Sequence, residues 1–302
     1  MVCGVQKNRS RYQQKKYCCA SGPTLSTASR GVIFTHLFYM TVLDVIFCDS
    51  TLPEPGQRLG ISFVKAQQEE IEIVVKEKVL VLAQSSMGLT AISSCVWDCG
   101  LALVDYLQSQ SQGIEQLGRT MNMMTGHTCL DIGCGTGVVG IAALALGAEF
   151  VCFTDTSSAE GGLTTNLKLL EAQLFPSLSL NKAAAFIEFD WVTGSLPDFQ
   201  SRCNQFVGED RCWDTLLLSD VLYEQASHAA LMRLLRSLSF RQAYLAYKRR
   251  HDDPESRFLR ELEEWCELSI VPFSEFTLVN VTRAQMTSGL YIIVFRKRCP
   301  LL

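Results

Sequence analysis

Cys129-Leu130-Asp131-Ile132-Gly133-Cys134-Gly135-Thr136-Gly137-Val138-Val139-Gly140 decides how this chain folds. A short apolar run, Thr128 to Ile132, ends in alternating glycines, and an apolar helical pattern from Val138 to Leu146 follows at once. That order predicts a strand, a tight turn and a helix N-terminus. Glycine suits the turn because the backbone there takes positive φ and lies close to a ligand with no Cβ in the way. The helix start adds unpaired N–H groups and a partial positive charge, which favour a carboxylate or a phosphate. The bland alternative is a tight turn with no ligand, and three alternate glycines between a strand and a helix weigh against it.

Two cofactor classes use this grammar, and the glycines alone do not separate them. Gly135 to Gly140 reads G-x-G-x-x-G, the dinucleotide fingerprint, and Asp155 follows at about the ~20-residue spacing of a ribose-binding acid. That reading gives an NAD(P)-dependent oxidoreductase. The longer stretch reads D-x-G-x-G-x-G, with Asp131 closing the strand and Gly133 opening the turn, and it resembles the first motif of the S-adenosylmethionine-dependent methyltransferases. In that resemblance the glycines pass beside the methionine moiety, and Asp155, after Glu149-Phe150-Val151-Cys152-Phe153-Thr154, holds the adenosine ribose.

At 302 residues and 48% hydrophobic, the chain can bury a full α/β core with an appendage to spare. A net charge of −4 gives no reason to expect nucleic-acid binding, which normally shows as a strongly basic balance. The thirteen cysteines are scattered, with no C-x-x-C pair. Cys95 and Cys99 would lie one helical turn apart and Cys18-Cys19 are adjacent, but no His stands near either to complete a metal set. Reduced, mostly buried thiols of a cytoplasmic protein, without a bound metal, are therefore expected.

Residues 1–60 differ in character from the remainder. Through Leu43 there is no Asp or Glu, while Lys7, Arg9, Arg11, Lys15, Lys16 and Arg30 are basic. Val32 to Cys48 is mostly apolar, interrupted by His36 and Asp44. A mitochondrial-type leader would be acidic-poor, basic and Ser-rich in this way. A membrane anchor would need ~20 apolar residues, more than this run supplies. An extension with no targeting role is the reading adopted, and Pro53, Pro55, Gly56 and Gly60 mark a linker after it. Residues 61–302 then form the main domain, a monomer with no expected membrane contact.

Within that domain Ile71–Val75 and Val79–Leu82 flank Lys76-Glu77-Lys78 as a hairpin. A helix follows around Val96–Leu107, with Trp97 at its start as a core anchor on periodicity alone. Beyond the glycine turn strand and helix alternate: strands at Ala148–Thr154, Ala183–Trp191, Trp213–Asp220 and Ala243–Lys248, helices at Ser157–Gln173, Gln225–Leu238 and Glu255–Leu268. Strands at Ser269–Leu278 and Leu290–Arg296 close the chain with only a loop between them. The pattern predicts a doubly wound, mostly parallel α/β sheet with its ligand at the carboxyl ends of the strands and an antiparallel C-terminal hairpin.

Two short motifs stand at those carboxyl ends. Glu188-Phe189-Asp190-Trp191 places an aromatic beside an acid, which suits an adenine that stacks on the ring and donates its amino group. A surface Asp next to a half-buried Trp is the plainer account. Leu216–Leu218 is a buried strand, after which Ser219-Asp220-Val221-Leu222-Tyr223 emerges. There Asp220 could be no more than a cap for the helix that follows. Lys248-Arg249-Arg250-His251 follows a strand and could engage an acidic partner, but a solvated loop is the reading adopted, and nothing near His127 supports a nucleophile–His–acid arrangement.

Taken together, Val96-Trp97-Asp98, the Asp131–Gly140 turn, Phe189-Asp190-Trp191 and Ser219–Tyr223 resemble, in order and spacing, the family-16 seven-strand methyltransferases. The likeness is greatest to the protein-lysine methyltransferases of chaperones and valosin-containing protein, whose hallmark D-x-x-Y is here Asp220 to Tyr223. It runs from about Ile61 to Arg298. It implies a Rossmann-like fold and methyl transfer from S-adenosylmethionine to a lysine of a non-histone protein such as a chaperone or an AAA-ATPase. By position, Trp97, Gly133, Cys134, Gly135, Gly137, Asp155, Asp190, Trp191 and Ser219 would bind the cofactor. Asp220 and Tyr223 would stand where cofactor and acceptor lysine meet. Cys134 and Ser219 replace residues that are often Ala or Ser, and Ala, in the relatives. No N-P-P-Y or D-P-P-Y follows the fourth strand, which argues against an adenine-methylating enzyme. A non-catalytic scaffold of the same fold and a small-molecule N-methyltransferase are the other readings carried.

Overall fold

A computed structural model describes residues 68–85, 92–114, 119–174, 180–209 and 211–298. The basic N-terminal stretch, the apolar run 32–48 and the Pro/Gly linker all lie outside the described residues.

The first described strands are β1 (Glu70–Val75) and β2 (Lys78–Ala83), paired antiparallel as expected. Lys76 and Glu77 form a two-residue turn with φ of 49° and 64°, the left-handed pair whose twist matches that of the flanking strands. Helix α1 (Asp98–Ser109) follows, and a second hairpin, β3 (Ser111–Ile114) with β4 (Arg119–Asn122), was not apparent from the pattern. Then come β5 (Thr128–Ile132), α2 (Val138–Ala145), β6 (Phe150–Asp155), α3 (Ser157–Leu174), the single turn α4 (Leu180–Ala183) and β7 (Ala184–Glu188). The last third contains α5 (Leu196–Val207), β8 (Trp213–Ser219), α6 (His228–Ser237), β9 (Phe240–Lys248), α7 (Asp252–Glu263), β10 (Cys266–Ile270), α8 (Arg283–Met286) and β11 (Leu290–Lys297).

Seven strands form one sheet in the order β10-β11-β9-β8-β5-β6-β7. Six of them, β10, β9, β8, β5, β6 and β7, point the same way, and β11 alone runs antiparallel, between β9 and β10. This is the mostly parallel sheet with an antiparallel C-terminal pair, β10 and β11, that the alternation predicts. Both faces are covered, so the central strands are apolar throughout. On β8, Leu217 packs with α1 and α2 on one face while Leu216 and Leu218 pack with α6 on the other. On β11, Ile292 and Ile293 divide in the same way.

Several elements depart from expectation: β7 ends at Glu188 short of Trp191, and α7 ends at Glu263 short of Leu268. Helix α5 buries only Phe199, Cys203 and Val207, a stripe too narrow to stand out among Gln, Arg and Asn, and its real signals are the Ser195 cap and Pro197 in the first turn. β10 begins earlier and ends sooner than predicted, because Pro272 has no N–H to continue a ladder.

The N-terminal hairpin has two edges, and side-chain amides close both. Asn166 and Gln173 of α3 exchange paired hydrogen bonds with Ala83 and Val81 of β2. Asn280 does the same for Val74 of β1, and the buried Asp105 of α1 holds Asn280 by accepting its amide and three successive backbone N–H groups. All described cysteines are free thiols, and all but Cys212 are buried.

Candidate active site

The carboxyl ends of the parallel strands surround one cavity of about 320 Å³, at the point where strand order reverses on either side of β5. Open α/β sheets hold their ligands at such a crevice. β5 delivers Gly133, Cys134 and Gly135 to it, β6 delivers Asp155, β8 delivers Ser219 and Asp220, and Trp191 enters after β7. Trp97 and the turn Ile92–Ser94 close the opposite wall, and Trp97 Nε1 donates to the Ile92 carbonyl at 3.1 Å. Tyr223 stands at the rim, 42% exposed.

The glycine turn is held by short-range bonds. Gly133 and Cys134 N–H both donate to the Thr154 carbonyl, at 2.8 and 3.1 Å, which ties the turn to the neighbouring strand. Gly135 N–H donates to Asp155 Oδ2 at 2.9 Å, and Thr156 N–H donates to Oδ1 at 2.7 Å. Burial raises the Asp155 carboxyl, and these donors work against that rise. A Cβ on Gly133 would lie 3.0 Å from Val221 and 3.1 Å from Trp191, and Gly133 has φ +67°. Bare backbone there forms the cavity floor.

Two expected cofactor residues do not line this cavity. Gly137, with φ +81°, serves packing: a Cβ on it would sit 2.4 Å from Leu163. Asp190 faces the adjoining groove of about 680 Å³, which shares Asp155, Trp191 and Tyr223 with the first cavity. Its carboxylate is spent on its own turn, accepting from Val192 N–H at 2.8 Å and Thr193 Oγ1 at 2.7 Å. Gly140, the last glycine of G-x-G-x-x-G, is also a packing residue, since a Cβ there would lie 2.3 Å from Phe153. Asp131 is buried behind the turn and accepts from Gly140 N–H at 3.0 Å. Burial pushes its carboxyl up to about 7, with Gly140 N–H opposing and the Asp155 charge adding to the rise.

On the other side of the cavity Asp220 has φ +58°, uncommon for a residue with a side chain, and it is buried. Its N–H donates to the Ala246 carbonyl at 2.9 Å. Both of its carboxylate oxygens are taken by Arg250: Nη1 donates to Oδ1 at 2.6 Å and Nη2 to Oδ2 at 2.7 Å. Burial alone would lower the Arg250 pKa, but the Asp220 hydrogen bonds and charge outweigh it and raise it. Arg250 also lines the cavity. Sequence reasoning missed it, and its segment is the main correction to the pattern reading. Lys248, Arg249 and Arg250 are not a solvated loop. Lys248 and Arg249 are buried, and their partners are Ser288 at 2.9 Å and Asp252 at 2.7 Å. No local signal separates a buried basic triplet from an exposed one when each partner is distant in sequence or on another element. Tyr223 keeps its phenol proton, because burial raises its pKa and the charges of Glu224, Asp155 and Asp220 add to that.

A reversed C-terminal strand among six that point the other way, with a glycine turn and an acid at two adjacent strand ends, defines a Rossmann-like methyltransferase fold. Residues 75–265, more than half of the chain, match the family described as lysine methyltransferase. The chain belongs to that family. It is 27% identical over 201 residues to protein N-lysine methyltransferase METTL21A of Xenopus tropicalis, covering 65% of this chain and 78% of that protein. It is 30% identical over 195 residues to METTL21A of Mus musculus, covering 64% and 78%. With EEF1A lysine methyltransferase 3 of Mus musculus it shares 25% over 209 residues, covering 68% and 78%. Membership decides between the two readings of the glycine turn: the chain is a lysine methyltransferase that takes its methyl group from S-adenosylmethionine, and the oxidoreductase reading has no support.

The residues present fit that donor. The floor at Gly133 and Gly135 is bare backbone, and a Cβ on Gly135 would press to 3.0 Å on the Ser93 carbonyl. Asp155 Oδ2 has a single donor on it and retains acceptor capacity for a sugar hydroxyl. Two indoles supply apolar walls for a base.

Proposed function

We propose that this chain methylates a lysine side chain of a non-histone protein of chaperone or AAA-ATPase type, and that residues 61–302 do so as a monomeric methyltransferase domain in the cytoplasm. The name of EEF1A lysine methyltransferase 3 adds EEF1A as a second substrate candidate. Among the described residues no helix is long and apolar enough to cross a membrane. The observation that carries the reading is that one cavity joins the glycine turn and Asp155 to Asp220, Arg250 and Tyr223.

When bound, S-adenosylmethionine supplies a methyl group on a positively charged sulfur that leaves with the bonding electrons. In this assignment Gly133, Cys134 and Gly135 offer backbone contact, Asp155 accepts from the ribose, and Trp97 and Trp191 flank the base. Ser219 lies on the wall between the two halves. Gly137 acts only by packing the turn, and Asp190 only by shaping the turn that carries Trp191. Asp220 and Tyr223 orient the acceptor amine, for which most of the rate enhancement is positioning. A lysine at its reference pKa of about 10.4 is almost wholly charged at neutral pH, so it must shed a proton before it can attack.

Calorimetric titration with S-adenosylhomocysteine and with NAD tests the cofactor half, and binding of NAD alone would overturn it. Incubation of a whole, undialysed lysate with enzyme and labelled S-adenosylmethionine, followed by mass spectrometry, tests the acceptor. Label found on lysines of a chaperone, an AAA-ATPase or EEF1A supports the assignment; label on small molecules only refutes it. Light scattering of the purified chain checks the monomer.

A further inference from the structure

We propose that Arg250 is a positioning residue for methyl transfer that acts through Asp220: by gripping both carboxylate oxygens it turns an acid at the cavity wall into a neutral ledge, on which the acceptor lysine settles as a free amine rather than as ammonium. The inference rests on the lysine-methyl-transfer reading above and deepens it.

The geometry is a planar fork meeting a carboxylate, at 2.6 and 2.7 Å, with the two side chains 15% and 7% exposed. The arginine is not free to swing away. Its backbone N–H donates to both oxygens of Glu255 at 3.1 Å, the Tyr247 hydroxyl donates to the same carboxylate, and Nη1 also reaches the Lys248 carbonyl at 3.4 Å. Asp220 is pinned as well, through its N–H and its left-handed backbone. The pair thus presents no net charge while keeping polar atoms in place.

Charge at this position matters because an uncompensated carboxylate beside an amine favours the ammonium form, which has no lone pair with which to attack. The proton must leave to water first, and a bare Asp220 would oppose that departure. Other groups facing the pair do not replace Arg250. From α1 come Asp98, which accepts from Gln285 at 2.8 Å, and Cys99, whose thiol burial keeps protonated. From β9 comes Lys248, directed to Ser288. From α7 comes Glu255, held by Tyr247 and by the Arg250 backbone. Asp155, Tyr223 and Glu224 stand around the mouth and add only negative or neutral groups.

The test uses the full chain loaded with S-adenosylhomocysteine, with Nε-trimethyllysine amide as a permanently cationic probe, beside the pH profile of labelled methyl transfer into a dialysed lysate. In Arg250→Gln the profile midpoint moves up by about one pH unit, and affinity for the cationic probe rises by about tenfold. Asp220→Asn leaves the guanidinium without its counter-charge and moves both readouts the opposite way. A merely structural pair would lower rates in both variants and shift neither midpoint nor probe affinity, and that result overturns the proposal. Failure of both variants to fold would make the pair a structural element and overturn it too. A wild-type chain that neither binds S-adenosylhomocysteine nor labels a protein removes the underlying reading instead; one that does both, with variants sharing its profile, removes only the role of Arg250.

Discussion

Asp155 and Asp220 are both aspartates at or just past the end of a parallel strand, and both line the same cavity, yet they are held in opposite ways. Asp155 is held by backbone N–H groups of its own turn and of the glycine turn, and it keeps acceptor capacity. Asp220 is gripped at both oxygens by a guanidinium thirty residues further along the chain. The difference divides the cavity into a side built to receive hydrogen bonds and a side built to cancel a charge. Removing the first acid takes away an acceptor at the cavity wall; removing the second strands a buried cation.

Four variants sharpen or break that contrast. The largest effect belongs to Asp220→Ala, which leaves Arg250 buried without its partner and should cost about 3–5 kcal/mol in chemical denaturation, together with loss of methyl transfer. An Asp220→Ala protein as stable as wild type, or still active, would break the comparison. Asp131→Asn comes next and reports on burial without any cavity contact. A carboxyl pushed up to about 7 in the folded chain and near 3.9 when unfolded penalises the fold progressively as pH rises from about 4 to 7. Asp131→Asn should therefore match wild type near pH 4 and gain on it up to pH 7, by at most about 4 kcal/mol. A flat difference across that range would show that Asp131 stays ionised.

Gly140→Ala places a methyl group where Phe153 already sits, and about 1–3 kcal/mol of stability should be lost, with little change in S-adenosylhomocysteine affinity per folded molecule. Affinity lost in proportion would return Gly140 to the ligand-binding set. Asp155→Ala gives the smallest stability change, within about 1 kcal/mol, because the loss of two backbone contacts is offset by relief from burying a carboxyl. Its calorimetric affinity for S-adenosylhomocysteine should fall at least about tenfold, or 1.4 kcal/mol.

Legibility followed the range of the interactions. The glycine turn, the ends of β5 and the start of α2 could be read because a glycine at positive φ and a change of hydrophobic period are local events. The parallel sheet and its reversed last strand followed from the order of elements, and Asp220 and Tyr223 from their place after an all-apolar strand. Helix α5 was hidden because three buried residues in twelve make too faint a stripe. Gly137 and Gly140 read as ligand glycines from the motif, while the side chains of Leu163 and Phe153, on other elements, give their reason.

By itself, then, the sequence determined the α/β class, the glycine crevice and the strand ends from which the acids project, since each is written in neighbouring residues and in hydrophobic period; the donor followed from the family likeness and not from any local pattern. Only the tertiary structure decided that Asp190 is turned into its own loop, that Lys248 and Arg249 are buried, and that Arg250 closes on Asp220. A charge's environment depends on which distant groups the sheet brings beside it, and no local pattern of residues carries that information.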